Sequence, residues 1–542
     1  MQVHGGILAA EALRRHDVDV VFTLSGGHLF PLYDGCVQRG VRLVDVRHEQ
    51  TAVFAAEAYA KVSRRVGVAA VTAGPGVTNS VSGLTTAHLT GSPVVLLGGR
   101  APESRWGEGS LQELDHVPIV DAVTKRAATA RATASIGDDV DATLRAARTP
   151  HRGPAFLDVP MDLFFGSVES TAAPPAVDPE TLRGADPDPD DLGRIAALLA
   201  GARRPVIVAG ADVHWDRAEA ALVRLAEGLH IPVVVSGLGR GTIPADHALA
   251  VSRSRSMALR DADLVLVVGA PLDFRLGFGR FDGGRVVHVS DVPERAATHV
   301  DLAATASGDL TAVLDGILDW SADGAALDHD EWVTRLAAEE VALRSHEREL
   351  LLSDGAPVNP ARVYGELATR LERDAVVIGD GGDFVSYAGK YVDTHVPGSF
   401  LDPGPYGCLG TGPGYALGAH LARPDAQVVA LLGDGALGFS LGDLDTLVRH
   451  SVPVTIIVGN NSCWGLEKHP MQAIYGYHAV AELGHETRYD LVMEALGGHG
   501  ELVREPSEVG PAIDRAMATH GPALVNVVTD ADNVYPRVSS LG

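Results

Sequence analysis

Short apolar runs that end in glycine or aspartate recur along the whole chain, and they limit its fold more than any other feature of the sequence. Runs such as 262–270 and 428–432 have strand length, far below the ~20 apolar residues of a membrane-crossing helix. Helical patterns alternate with them. In residues 1–165 the reading is a helix over 5–16, strands over 19–23, 42–46, 66–72 and 93–98, and an alanine-rich helix over Glu49–Ser63. Alternation of this kind predicts a parallel sheet covered by helices. Residues 168–191 are rich in Pro, Asp and Ala without apolar periodicity, the mark of an interdomain linker. A second α/β block has strands over 205–209, 232–236, 264–269 and 286–290 and ends near Ile317, before a charged helical segment over 331–353. A third has strands over 375–378, 427–432, 454–459 and 523–528.

At about 150 residues per domain, three blocks also suit the length. The predicted fold class is α/β, three doubly wound parallel-sheet domains. The expected divisions are domains at 1–167, 192–330 and 357–530, a linker at 168–191, a linker helix at 331–356 and a closing segment at 531–542.

Lysine and arginine number 44 against 70 acidic residues, a net charge of −26 spread along the chain, which argues against nucleic acid as a partner. Arg14 and Arg15 follow the first apolar stretch instead of preceding it, unlike a secretion signal, so a cytoplasmic protein is expected. No membrane span is expected either. Cys36, Cys408 and Cys463 lack metal-ligand spacing, and reduced thiols are the expectation.

The third block carries the strongest chemical signal. One apolar strand runs into Gly433-Asp434-Gly435 and another into Asn460-Asn461, with 24 residues between the two motifs. Open parallel sheets bind ligands beyond the carboxyl ends of their strands, and oxygens from Asp, Asn and a backbone carbonyl suit Mg²⁺. Glycines let the backbone approach a diphosphate, and the metal supplies the positive charge that an acidic chain otherwise lacks. Gly379-Asp380-Gly381 also follows a strand, but no asparagine occurs between residues 361 and 459, and no metal is assigned there.

This GDG and NN pair resembles the diphosphate-binding motif of thiamine-diphosphate (ThDP) enzymes, and nearly the whole chain is similar to their acetolactate synthase-like branch. The resemblance implies pyrimidine-binding, central and diphosphate-binding domains in that order. It also implies Asp434, Asn461 and the Cys463 carbonyl as metal ligands, with Gly433, Gly435 and Ala436 at the cofactor. Glu49, at the end of the strand over 42–46, would be the activating carboxylate that favours the imino tautomer of the aminopyrimidine. Gly74 and Asn79 belong to a Gly-Pro-Gly-Val-Thr-Asn loop like the family's own. Gly407 and Leu409 align with a segment whose carbonyl and apolar wedge bend the cofactor. Gln112 and Glu113 lie in a segment like one that faces substrate. The family's sites form across subunits, which implies a homodimer at least and a homotetramer as the fuller assembly.

Three further features bear on the reaction. Glu467 lies six residues beyond Asn461 and is a candidate general acid or base. The segment with Tyr535, Arg537, Ser539 and Ser540 resembles the closing lid of oxalyl-CoA decarboxylase and of actinobacterial 2-hydroxyacyl-CoA lyases. His28 departs from the usual Pro-Gly-Gly turn and becomes a substrate-facing candidate. The leading expectation is therefore a carbon–carbon lyase that cleaves a 2-hydroxyacyl-CoA to formyl-CoA and a ketone or aldehyde. The alternatives are an acetolactate synthase or 2-oxo acid decarboxylase, and a catalytically silent regulatory subunit. Asp291 ends a central strand and suits a ribose hydroxyl, so ADP or FAD in the central domain is an open expectation.

Overall fold

A computed structural model describes residues 2–169, 176–178, 182–322, 329–484, 486–533 and 535. Three six-stranded sheets, every strand parallel to its neighbours, form the frame. The first contains β1 (Val20–Thr23), β2 (Arg42–Asp45), β3 (Gly67–Val71), β4 (Val94–Arg100), β5 (Arg126–Thr129) and β6 (Ala155–Pro160), in the spatial order β2-β1-β3-β4-β6-β5. The central sheet has β7 (Pro205–Ala209), β8 (Val233–Val235), β9 (Ala250–Val251), β10 (Leu264–Val268), β11 (Arg285–Ser290) and β12 (Leu302–Ser307), in the order β9-β8-β7-β10-β11-β12. The last comprises β13 (Val376–Asp380), β14 (Phe400–Leu401), β15 (Val428–Gly433), β16 (Val454–Asn460), β17 (His499–Val503) and β18 (Ala523–Val528), in the order β14-β13-β15-β16-β18-β17.

The first and last sheets thus share one strand order, and the central sheet has the Rossmann order. All three are the expected doubly wound α/β class. Strands β3, β10 and β15 are almost wholly buried because helices cover both faces, which is why they read as unbroken apolar runs. Several strands escaped the sequence reading. β5 (RAAT) and β17 (HGELV) lie at sheet edges, half-buried and mixed in polarity. β6 was missed although it is fully buried.

Helix α1 (Glu49–Ser63) follows β2, and helix α3 (Gly412–Ala422) precedes β15; the two cross in close contact. A Cβ on Gly418 would lie 2.1 Å from the Ala55 carbonyl oxygen, so glycine is what allows the approach. One apolar core runs through both blocks as a result, holding Phe54, Tyr59, Tyr415 and Leu432. Helix α2 (Asp330–Leu351), expected as a linker, is docked: Trp332 is buried and its indole N–H donates to the Pro205 carbonyl at 3.1 Å. No helix among the described residues is long and apolar enough to cross a membrane.

Candidate active site

In each of these sheets the strand order reverses next to its first strand, and such switch points open a crevice at the carboxyl ends. In the last sheet the crevice lies between β13 and β15. It is lined by Gly381, Asp383, Gly433, Asp434, Asn461 and Glu467, among others. Gly435, Ala436, Cys463 and Trp464 also face it. A Cβ on Gly435 would stand 2.4 Å from the Trp464 ring, so the turn after β15 closes only with glycine there.

Asp434 is 3% exposed. Its two oxygens accept from the backbone N–H groups of Gly435 and Ser462 at 2.9 and 2.8 Å. Burial nevertheless dominates and pushes its carboxyl up to about 6, while those backbone bonds pull it down. A buried carboxylate with spare lone pairs and, among the described residues, no cation beside it is suited to a divalent ion. Asn460 and Asn461 differ sharply in role. The Asn460 amide is spent on the Thr487 carbonyl and on Asn526, both at 3.0 Å, whereas Asn461 faces the crevice, its side-chain oxygen 3.2 Å from the Cys463 N–H. Glu467 is exposed at the crevice, in the first turn of helix α4 (Gly465–Tyr475). Its neighbour Lys468 pairs with Glu482 at 3.0 Å instead of with Glu467. Asp383 is a third crevice carboxylate that the sequence reading missed, although it lies only two residues beyond Gly379-Asp380-Gly381. Asp380 itself is fully buried and accepts from the Gly412 N–H at 3.0 Å, capping α3. That GDG is structural.

The first sheet gathers the other sequence-predicted residues at its own switch point, between β1 and β3. Glu49 is 8% exposed, and its carboxylate accepts from the Asn79 amide at 3.0 Å. His28 pairs through Nδ1 with the Thr72 hydroxyl at 2.9 Å, and burial, then His116, lower its pKa. Gly74 has φ +62 and packs against Gln112, itself at φ +59. Glu113 is occupied otherwise, accepting from the N–H groups of Gly107 and Ser110 to shape its own loop. Among the described residues, none of this first block lines the crevice at Asp434. The segment with Gly407 and Leu409 lies between the blocks, with Gly404 against Thr90 and Gly410 against Phe439.

Two expectations fare differently from these. Asp291 does not line the central crevice: it is 2% exposed, and both its oxygens lie 3.0 Å from Nδ1 of His151, a residue of the first block that the sequence gave no reason to place there. The crevice is lined instead by Asp212, Gly237, Gly269, Arg275, Ser290 and Arg295, among others. At the C-terminus, Tyr535 packs edge-on against Tyr387 with centroids 4.8 Å apart, and the Tyr387 hydroxyl donates to Asn533 at 3.0 Å. Both Tyr387 and Asn533 border the Asp434 crevice. Arg537, Ser539 and Ser540 lie outside the described residues.

Comparison with known proteins agrees with this geometry. Residues 3–119 match the N-terminal TPP binding domain of thiamine pyrophosphate enzymes, residues 192–317 their central domain and residues 380–527 their C-terminal TPP binding domain. The chain is 54% identical over 541 residues to the acetolactate synthase large subunit IlvG of Mycobacterium tuberculosis, covering 99% of this chain and 98% of that one. A probable acetolactate synthase of Mycobacterium bovis matches to the same extent. The 2-hydroxyacyl-CoA lyase 2 of Homo sapiens is 32% identical, over 93% of this chain and 86% of its own.

These identities overturn the expectation of a 2-hydroxyacyl-CoA lyase with an acyl-CoA substrate. The lyase name attaches to relatives near 32%, while the 54% relatives are synthases. The lyase expectation had rested on a short tail, most of which lies outside the described residues, with Glu467 as its proton carrier. Neither bears on acyl-CoA when weighed against agreement along the full chain.

Proposed function

As this chain belongs to the thiamine pyrophosphate enzyme family, we propose that it is an acetolactate synthase-type catalytic chain, which condenses two 2-oxo acids with loss of carbon dioxide from the first. The observation that carries this reading is the 54% identity with an acetolactate synthase large subunit over 99% of the chain. When bound, thiamine diphosphate supplies the carbon nucleophile for such a condensation.

The residues of the crevice fit the cofactor's diphosphate end. Asp434, Asn461 and the Cys463 carbonyl would hold Mg²⁺, whose charge offsets the burial that raises the Asp434 carboxyl. Gly433, Gly435 and Ala436 give the phosphates access to backbone. Glu49, steadied by Asn79, serves the pyrimidine end. His28 and Gln112 border the substrate side of that half, and Glu467 offers a carboxylate to exchange a proton with the reacting carbonyl oxygen. Gly407 and Leu409 support the cofactor between the two ends.

Among the described residues, none of the pyrimidine half lines the Asp434 crevice of the same chain. A homodimer, in which each crevice meets the Glu49 cluster of the other copy, is therefore part of the proposal, with a tetramer as its doubled form. The central crevice, with Arg275 and Arg295 as cations for a diphosphate, is assigned to ADP or FAD. Visible absorbance of the purified protein separates the two.

The test is to incubate the protein with ThDP, Mg²⁺ and pyruvate and to detect 2-acetolactate by mass. The reading expects turnover of pyruvate to acetolactate. Acetaldehyde as sole product, or untouched pyruvate, would reject it.

A further inference from the structure

A buried hydrogen-bond chain stands behind the Glu49 cluster, and its side chains, His116, Asp158 and Arg100, were not singled out by motif. Gly74 opens the turn Pro75–Asn79: its carbonyl accepts from the N–H groups of Val77 and Thr78, both at 3.1 Å. The Gly74 N–H points the other way and meets Nε2 of His116 at 2.9 Å. Nδ1 of His116 meets Asp158, within β6, also at 2.9 Å. His116 and Asp158 are both 0% exposed.

A backbone N–H can only donate, so Nε2 of His116 must be bare and its proton must sit on Nδ1, where Asp158 accepts it. The carboxylate thus fixes the tautomer. Arg100, 6% exposed, holds Asp158 in turn: its Nη1 donates to the same oxygen at 3.1 Å, and its guanidinium lies over the Trp106 ring at 3.8 Å. The other Asp158 oxygen is buried with no partner among the described residues.

We infer that His116, locked by Asp158, is a positioning residue for the activating carboxylate. It pins the start of the turn Pro75–Asn79, and Asn79 at the turn's end donates to Glu49. The pair touches neither cofactor nor substrate; it acts through Gly74 and Asn79. The left-handed φ of Gly74 makes the anchor necessary, because glycine there leaves the turn free to swing once its N–H is released. The inference rests on the role proposed for Glu49.

The test compares His116→Leu, His116→Gln and Asp158→Asn in the full-length protein. Glutamine keeps an acceptor near the Nε2 position, whereas asparagine at 158 lets the imidazole take the other tautomer and turn an N–H towards the Gly74 N–H. The first readout is amide hydrogen exchange of residues 74–80 without cofactor, expected to rise about tenfold in His116→Leu and Asp158→Asn, the effect of one lost buried hydrogen bond. His116→Gln is expected to stay near wild type, and exchange around Asp434 should not change in any variant. The second readout is hydrogen–deuterium exchange at C2 of bound thiamine diphosphate without substrate, expected to slow in the same two variants. Unchanged protection at 74–80 in both, or equal loss across all three, would overturn the inference. If His116→Leu does not fold, the contrast between His116→Gln and Asp158→Asn still decides. Should Glu49→Gln leave C2 exchange at the wild-type rate while the 74–80 protection behaves as expected, the Glu49 reading fails and the anchor stands.

Discussion

Replacing Lys61 by methionine removes a cation that faces a carboxylate sealed between the first and last blocks. Lys61 Nζ lies 2.8 Å from Glu57 and 3.1 Å from the Tyr415 hydroxyl, and the side chains of Lys61 and Glu57 are 3% and 0% exposed. Removing one partner of such a pair costs about 3–5 kcal/mol, because the remaining charge is stranded. Glu57 keeps three hydroxyl donors, Tyr415, Thr90 and Ser92, at 2.8, 2.7 and 3.2 Å. The cost therefore falls at the lower end, about 3 kcal/mol, or roughly a hundredfold in the folded-to-unfolded ratio. A urea titration followed by intrinsic fluorescence measures it, read at the first cooperative transition because a three-block chain need not unfold in one step. The double variant Glu57→Gln with Lys61→Met retains the hydroxyl contacts without the charge and is expected to recover at least half of the loss. A single variant within about 0.5 kcal/mol of wild type, or a double variant no more stable than the single one, would refute the reasoning.

Glu49→Gln is expected to lower turnover about 10²–10⁴-fold with an unchanged circular dichroism spectrum. Mixed with Asp434→Asn and allowed to exchange subunits, it should regain about a quarter of wild-type activity, since half the dimers then carry one intact site; no regain would place both halves of a site on one chain. Gly435→Ala drives a Cβ towards Trp464, 2.4 Å away, and should weaken ThDP binding at least about tenfold without unfolding the protein, as read by fluorescence titration. Burial holds the pKa of His214 well below its ordinary 6.5, so the native form binds fewer protons than the unfolded chain and its stability is lost as pH falls below 6.5. Between pH 7.5 and 5.5, wild type should lose stability relative to His214→Gln, by up to about 1.4 kcal/mol for each unit below 6.5; parallel curves in urea titrations would contradict this.

Much of the frame was legible because parallel strands buried on both faces are written as apolar runs, as in β10 and β15. The ends of those runs carried the chemistry: Asp434 and Asn461 stand where strand ends had put them, and the second asparagine rather than the first faces the crevice. Edge strands such as β5 and β17 were hidden because half of each faces solvent and their polarity is mixed. Contacts between distant segments were hidden for a different reason. Nothing local to Asp291 announces that His151, 140 residues earlier, occupies both its oxygens. Likewise His116 and Asp158 are 42 positions apart, and only the pairing of β4 with β6 brings Asp158 of the second strand to the first block's crevice. The choice of reaction was the least legible, because Glu467 and a short tail are single features, whereas the synthase relationship is spread over the whole chain.

Crystals grown with thiamine diphosphate and Mn²⁺, the latter standing in for Mg²⁺, offer the most direct test of the cofactor site. An anomalous difference map should place one strong peak within about 2.3 Å of side-chain oxygens of Asp434 and Asn461, with the Cys463 carbonyl as a third ligand and the diphosphate bridging to it. A peak elsewhere, or a cofactor bound with its phosphates away from these two side chains, would contradict the account.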